Sequence, residues 1–140
     1  MPESVTGGCL CRAIRYRIHG KPLARSLCHC PSCRFAAGAS PVAWLVVPSQ
    51  TFSYSAGQPT RHESSPGIER TFCSSCGSAL TYRVIGESET IDITAATLDD
   101  QSSFKPDREI WVRYRPDWLP ALVGVAQYRS DSGGSDADDT

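Results

Sequence analysis

Cys73-Ser74-Ser75-Cys76-Gly77 is the stretch that decides how this chain folds. Two thiols three positions apart, followed by a glycine that tolerates positive φ, make a turn able to curl around a metal ion. A second pair, Cys9-Leu10-Cys11, follows Gly7-Gly8, and 61 residues intervene between Cys11 and Cys73. In an extended segment alternate side chains point the same way, so Cys9 and Cys11 can reach one ion together. Cys9, Cys11, Cys73 and Cys76 would then supply four sulfurs, the closed tetrahedral set of a structural zinc site. Such a site clamps the amino-terminal strand to the middle of the chain and contributes roughly 10–16 kcal/mol to folding in apparent terms.

The remaining three cysteines are built differently. Cys28-His29-Cys30-Pro31-Ser32-Cys33 offers three thiolates within six residues, with Arg34 rather than glycine after the last. Three protein ligands leave a fourth position for water or a substrate atom, as catalytic zinc sites do. A soft donor such as a thiol suits that position. Zinc held by three thiolates carries a formal charge of −1, which Arg34 or Arg12 would offset while binding substrate carboxylates. The competing reading is a second structural site closed by His62 or His29. Spacing alone leaves other partitions of the seven cysteines open, and iron–sulfur stands behind zinc as the metal.

Composition supports a stapled domain. The apolar set makes up 40% of 140 residues, but it includes the seven cysteines and must cover 11 glycines and 10 prolines. That is a thin core for one domain. No apolar run approaches the length of a membrane helix. The opening Met1-Pro2-Glu3-Ser4 lacks the regions of a signal peptide, so a cytoplasmic, reducing location is expected, where clustered cysteines bind metal more often than they form disulfides. Over residues 1–130, fourteen Lys+Arg face eleven Asp+Glu once Asp131, Asp136, Asp138 and Asp139 are set aside, a net of +3. Nucleic-acid binding needs a denser basic face.

The rest of the chain reads as short strands. Ala13–His19 alternates apolar with polar, Pro41–Val47 is apolar and β-rich, and Thr51–Tyr54 could pair with it. Ile68–Phe72, Ala79–Ile85, Thr90–Thr94 and Ile110–Tyr114 are further strands. Turn signals stand at Gly7-Gly8, Ser55-Ala56-Gly57 and Ser65-Pro66-Gly67, and one helical turn is expected over Arg34–Ala39. The expected organisation is a mainly β zinc-binding domain over residues 5–129, with a disordered acidic tail over 130–140.

At Gly7-Gly8-Cys9-Leu10-Cys11, Cys28-His29-Cys30-Pro31-Ser32-Cys33-Arg34 and Arg70-Thr71-Phe72-Cys73-Ser74-Ser75-Cys76-Gly77-Ser78-Ala79-Leu80, the chain resembles the glutathione-dependent formaldehyde-activating enzyme and centromere protein V family. Ile110-Trp111-Val112 and Pro116-Asp117-Trp118-Leu119-Pro120 fit its closing segment, so the likeness covers roughly residues 5–125. The ordered set of Cys-x-Cys, Cys-x-Cys-x-x-Cys and Cys-x-x-Cys-Gly is highly specific. The resemblance implies the β-tent fold, short antiparallel strands gathered over a structural zinc. It also implies that this zinc is held by Cys9, Cys11, Cys73 and Cys76, and that a second, labile zinc is held by Cys28, Cys30 and Cys33. The activity it implies is carbon–sulfur lyase or synthase chemistry, glutathione or a similar thiol adding to formaldehyde or a related small aldehyde, or the reverse.

Other residues weigh less. His29, between two cysteines that turn inward, is expected to turn outward, as a surface histidine or as a group facing metal or substrate. His62 sits in a polar stretch and reads as a surface loop residue. Trp44, Trp111 and Trp118 read as core or rim packing rather than a ligand cage. Asp99, Asp100 and Asp107 read as solvated loop carboxylates. No nucleophile elbow supports serine hydrolysis. Two classes of function compete: the thiol–aldehyde enzyme, with Cys28, Cys30 and Cys33 catalytic, and a non-catalytic zinc module that binds protein or nucleic acid. The modest charge and the open trio favour the enzyme, and a homodimer is compatible with either.

Overall fold

The alternation in Arg15-Tyr16-Arg17-Ile18-His19 is realised as a strand with Tyr16 and Ile18 buried and Arg17 and His19 exposed. A computed structural model describes residues 3–87 and 89–131; the expected tail lies outside the described residues from 132 onward. In chain order the elements are β1 (Ser4–Gly8), β2 (Arg15–His19), β3 (Ala24–Cys28), α1 (Pro31–Ala37), β4 (Val42–Pro48), β5 (Phe52–Ala56), β6 (Thr60–Ser65), β7 (Ile68–Phe72), β8 (Ala79–Val84), β9 (Thr90–Thr94), β10 (Arg108–Ile110) and β11 (Ala126–Gln127), with short 3₁₀ turns between some of them. The fold is mainly β, as expected. No helix among the described residues is long and apolar enough to cross a membrane.

The chain forms two compact units. One comprises the residues up to Leu23 together with Leu45–Phe104. In it β1, β2 and β5 make an antiparallel sheet, and β4, β9, β8, β7 and β6 lie side by side in that order. The pairings β6–β7, β7–β8 and β8–β9 are antiparallel. The other unit comprises Ala24–Trp44 and the chain from Lys105. It carries α1 and the strand order β11, β10, β3, β4. Here β10 runs parallel to both β3 and β11, a pairing that no hairpin pattern in the sequence announces.

Several strand expectations shift. The segment 51–54 contributes to β5, which pairs with β2 rather than with β4, because the 3₁₀ turn Ser49–Thr51 redirects the chain and is latched by Thr51 Oγ1 donating to Pro48 O at 2.8 Å. The strand expected over Ile110–Tyr114 is instead β10, ending at Ile110. Trp111 adopts a left-handed φ of 57°, and a 3₁₀ turn over Val112–Tyr114 follows. His62 lies in a strand, β6, though an exposed one. Among the tryptophans Trp44 is core, Trp111 is half-buried, and Trp118 is 73% exposed, so Trp118 packs neither core nor rim. Ser130, placed in the tail by composition, is tied back: its carbonyl accepts from the Trp111 amide at 2.9 Å.

Gly7-Gly8 ends β1 rather than forming a turn, and packing supplies the reason. Gly7 pairs with Tyr16, and a Cβ on Gly7 would lie 2.3 Å from Tyr16 Oη and 2.5 Å from the Thr97 carbonyl. Tyr16 is fully buried and its hydroxyl meets Thr97 Oγ1 at 2.7 Å, so the ring cannot yield. Gly7→Ala is expected to cost about 1–3 kcal/mol, read as a lowered thermal midpoint; an unchanged midpoint would show that this approach is slack.

Asp99 is also not a free loop carboxylate. It takes a two-pronged contact from the Arg15 guanidinium and a 2.6 Å hydrogen bond from Thr6 Oγ1, while its amide donates to Thr6 O at 3.0 Å. The Arg15 and Thr6 bonds hold its carboxyl down at about 2, against an ordinary 3.8. A depressed folded-state pKa means stability that is present above the unfolded value and lost as pH falls through the folded one. Asp99→Asn is therefore expected to flatten the loss of stability between about pH 4 and pH 2. Its cost at neutral pH is at most about 1 kcal/mol, because the side chain is 41% exposed. Acid titrations of the melting midpoint that superimpose for the two proteins would contradict this.

Candidate metal centres

The Cys9/Cys11 pair sits on a turn, not on the extended segment expected. The Arg12 amide donates to Cys9 O at 3.1 Å, closing the turn with Arg12 at a left-handed φ of 69°. The Cys9 amide donates to Ile14 O at 3.1 Å, and the Ile14 amide donates to Cys9 Sγ at 3.3 Å. Cys73–Gly77 makes the matching turn: Gly77 has φ 82° and donates to Cys73 O at 2.8 Å, and the Cys73 amide donates to Ser78 O at 3.0 Å. Ser78 joins the two turns. Its hydroxyl oxygen accepts from the Leu10 amide at 3.0 Å and lies 3.3 Å from Cys76 Sγ. Sequence reasoning passed over Ser78, although a hydroxyl two residues after the second thiol of the pair was a usable signal.

These turns bring Cys9, Cys11, Cys73 and Cys76 together, with all four sulfurs within 4.8 Å of one another. Cys9 and Cys11 sulfurs are 3.6 Å apart and Cys11 and Cys73 sulfurs 3.8 Å, far beyond a bonded pair, and none of the seven cysteines is in a disulfide. Cys9 and Cys73 belong to an apolar cluster with Ile14 and Leu80, against which Tyr54 and Cys76 pack. Ser78 draws the Cys76 thiol down to about 5 through its hydroxyl and then its amide, with the Cys11 amide adding to the effect. Cys11 moves the other way, to about 11: the Ala13 amide favours its thiolate, but Cys9, burial, Cys73 and Cys76 outweigh it. Four thiols packed this closely cannot all ionise beside one another without a cation. The donor set fits a soft, tetrahedral metal ion.

The trio is assembled by a strand end and a helix start. Cys28 closes β3 and pairs with Ile110, and the His29 amide donates to Ile110 O at 3.1 Å. Cys30 is the N-cap of α1, its sulfur accepting from the Cys33 amide at 3.3 Å, and Pro31 supplies the fixed φ of the first turn. The helix therefore begins at Pro31, earlier than Arg34, and ends at Ala37, capped by Gly38 in the left-handed conformation. One helical turn puts Cys30 and Cys33 on the same face. The sulfurs of Cys28, Cys30 and Cys33 lie within 4.8 Å of one another, with Cys28 and Cys33 buried and Cys30 half-buried. Close contact with Cys30, then Cys33, and then burial push the Cys28 thiol strongly up. This cluster, too, is arranged for a cation. Among the described residues neither His29 nor His62 joins either group.

His29 does not turn outward. It is 1% exposed, and its Nε2 lies 2.7 Å from Oε1 of Glu109, itself 2% exposed. Glu109 also accepts from the Leu122 amide at 2.8 Å and Gln127 Nε2 at 2.9 Å, and Arg115 Nη2 lies 3.5 Å from it. Burial pushes the Glu109 carboxyl up, but the bonds from Gln127, His29 and Leu122 outweigh it and hold it below the ordinary value. Nothing in the sequence marked Glu109, which stands in a strand-like run where a carboxylate reads as solvent-facing. Arg34, on α1 and exposed, lies with its guanidinium 4.4 Å from the Phe35 ring centroid. Arg12 is exposed in the quartet's turn and so accompanies Cys9 and Cys11.

The family model of the glutathione-dependent formaldehyde-activating enzyme matches residues 4–114. A Schizosaccharomyces pombe protein described as an uncharacterized lyase is 28% identical over 119 residues, covering 84% of each chain. A Halomonas elongata protein with the name "Putative glutathione-dependent formaldehyde-activating enzyme" is 31% identical over 125 residues, 81% of this chain and 78% of that one. A crystal structure of a Rhodobacter sphaeroides protein shares the fold, with a TM-score of 0.56 at 20% identity over 67% of this chain and 87% of that one. The chain belongs to the glutathione-dependent formaldehyde-activating enzyme family.

Proposed function

We propose that this protein is a carbon–sulfur lyase that joins a thiol, glutathione or a similar one, to formaldehyde or a related small aldehyde, and releases them in the reverse direction. The observation that carries this reading is the trio: three cysteine sulfurs gathered on buried and half-buried positions, joined by no histidine, carboxylate or further cysteine among the described residues. Cys9, Cys11, Cys73 and Cys76 would hold a structural zinc; Cys28, Cys30 and Cys33 would hold a second. Bound at the trio, zinc supplies a coordination position at which an incoming thiol is kept as thiolate at neutral pH. The names of the two relatives, a lyase and a formaldehyde-activating enzyme, support the same class.

The chemistry needs no oxidant. The thiol sulfur bonds to the aldehyde carbon, the carbon–oxygen π bond breaks, and the proton lost by sulfur ends on the new hydroxyl. What the protein adds is proximity of the two small reactants. Arg34 offsets the negative charge of the trio and offers a contact for the carboxylates of a thiol such as glutathione. Exchange NMR with ¹³C-formaldehyde and glutathione checks the proposal. Interconversion of the free pair and S-hydroxymethylglutathione is expected to run faster with the protein than without it. No acceleration, with glutathione or with other thiols, removes the assignment.

A further inference from the structure

Within the trio, Cys30-Pro31-Ser32-Cys33 is a pair of thiols spaced to bond each other. Both stand in the first turn of α1, Cys30 as its N-cap and Cys33 as its third residue. Helix geometry sets Cα atoms three residues apart at about 5 Å, inside the roughly 4.4–6.8 Å that a disulfide spans. The Cys33 amide donates to Cys30 Sγ at 3.3 Å, so the Cys30 side chain is already folded over the turn toward Cys33, and the two sulfurs lie within 4.8 Å of each other. Exposure ranks the trio for reaction with a solute. Cys30 is half-buried while Cys28 and Cys33 are buried, so a small oxidant meets Cys30 first, with Cys33 behind it. Cys28 lies outside this turn, in β3, where it pairs with Ile110. Cys73 and Cys76 have the same spacing, but they turn around Gly77 in the set of four sulfurs proposed above to staple the fold, so drawing them out of it costs the fold itself.

We infer that Cys30 and Cys33 form a reversible oxidation site: a peroxide joins their sulfurs in a disulfide, and the trio then no longer holds a metal. This rests on the zinc proposed above for the trio and adds regulation to that site. The step balances with hydrogen peroxide as the oxidant. The Cys30 thiolate attacks one peroxide oxygen, the O–O bond breaks, and Cys30 becomes a sulfenic acid as hydroxide leaves. The Cys33 thiolate then attacks the Cys30 sulfur, the S–O bond breaks, and a second hydroxide leaves as the S–S bond forms. The two sulfurs together give up two electrons, the peroxide oxygens take them, and two protons from solvent complete two waters. Cys28 remains as one ligand where there were three, too few for zinc. An added thiol reverses the step by thiol–disulfide exchange and restores the trio.

The test uses the metal-loaded full chain, stoichiometric hydrogen peroxide and then dithiothreitol. Peroxide is expected to release one zinc per chain and to remove two thiols while the far-ultraviolet spectrum holds. Thiol–aldehyde exchange should fall to the rate without protein, and dithiothreitol with zinc should restore it. The tryptic peptide Ser26–Arg34 carries all three cysteines of the trio, so alkylation after oxidation identifies the pair: Cys28 alone is expected to take the label. Cys33→Ser, treated the same way, is expected to stop at the Cys30 sulfenic acid, which dimedone traps. Label on Cys30 or Cys33 in place of Cys28, a disulfide between Cys73 and Cys76 that forms first, or no loss of thiol overturns the oxidation site and leaves the proposed function standing. A Cys33→Ser protein with no dimedone adduct on Cys30 overturns Cys30 as the sulfur attacked first. A Cys30–Cys33 disulfide that forms with all the metal retained overturns the regulation. A protein that forms this disulfide, but whose reduced form accelerates no thiol–aldehyde exchange, overturns the proposed function and leaves the oxidation site in place.

Discussion

Cys76→Ser is expected to unfold or aggregate, with loss of the metal held by the quartet. The cysteine turn around Gly77 and the Cys9–Arg12 turn touch through Ser78, and their sulfurs occupy part of the apolar cluster of Ile14 and Leu80. A structural zinc contributes on the order of 10–16 kcal/mol to folding, against a total stability of about 5–15 kcal/mol for an ordinary domain. Losing one of four ligands therefore removes more than the fold can spare. Cys76 is also the thiol that its surroundings most favour as thiolate, through Ser78 and the Cys11 amide, and serine reproduces none of that. Thermal melts together with metal analysis read the outcome. A folded Cys76→Ser protein with an unchanged midpoint would show that the quartet is not the staple.

Cys30→Ser should behave in the opposite way. Cys30 caps α1 through its sulfur and the Cys33 amide, and serine is among the better N-cap residues, so the helix keeps its cap while the trio loses a thiolate. The fold is expected to change by no more than about 1 kcal/mol. Thiol–aldehyde exchange is expected to drop by more than about 100-fold, since even weakening the surroundings of a metal ligand costs on the order of 10–100-fold. The pair of variants matters more than either one. If Cys76→Ser and Cys30→Ser gave the same melt and the same residual activity, the division between a holding quartet and a working trio would be wrong.

The quartet and the trio were legible because metal ligation imposes residue type and spacing together, and Cys-x-x-Cys-Gly leaves little else for Gly77 to do. The strands β7 and β9 were legible for a humbler reason: short apolar alternation bounded by turn residues. What escaped was set by partners distant in sequence. β10 is only three residues long and is defined by its parallel pairing to β3, where Glu109 stands beside Leu27 and Ile110 beside Cys28. No local pattern carries that pairing. His29 was misjudged for the same reason: alternation about two inward cysteines sends it outward, and only the buried Glu109, 80 residues away, turns it in. Gly7-Gly8 was read as a turn because glycine is permissive, whereas here Tyr16 leaves no room for a side chain at Gly7 and the Ile14 carbonyl leaves none at Gly8.

Stepwise removal of metal from the purified protein, with zinc content and far-ultraviolet circular dichroism followed together, tests the central claim most directly. Two zinc ions per chain are expected. One should leave with a mild chelator while the spectrum and the melting midpoint hold, and with it the thiol–aldehyde exchange should disappear. The second should leave only as the chain unfolds. Two ions lost in a single step with the fold, or a chain that holds both equally tightly, would contradict a quartet built to hold and a trio built to open.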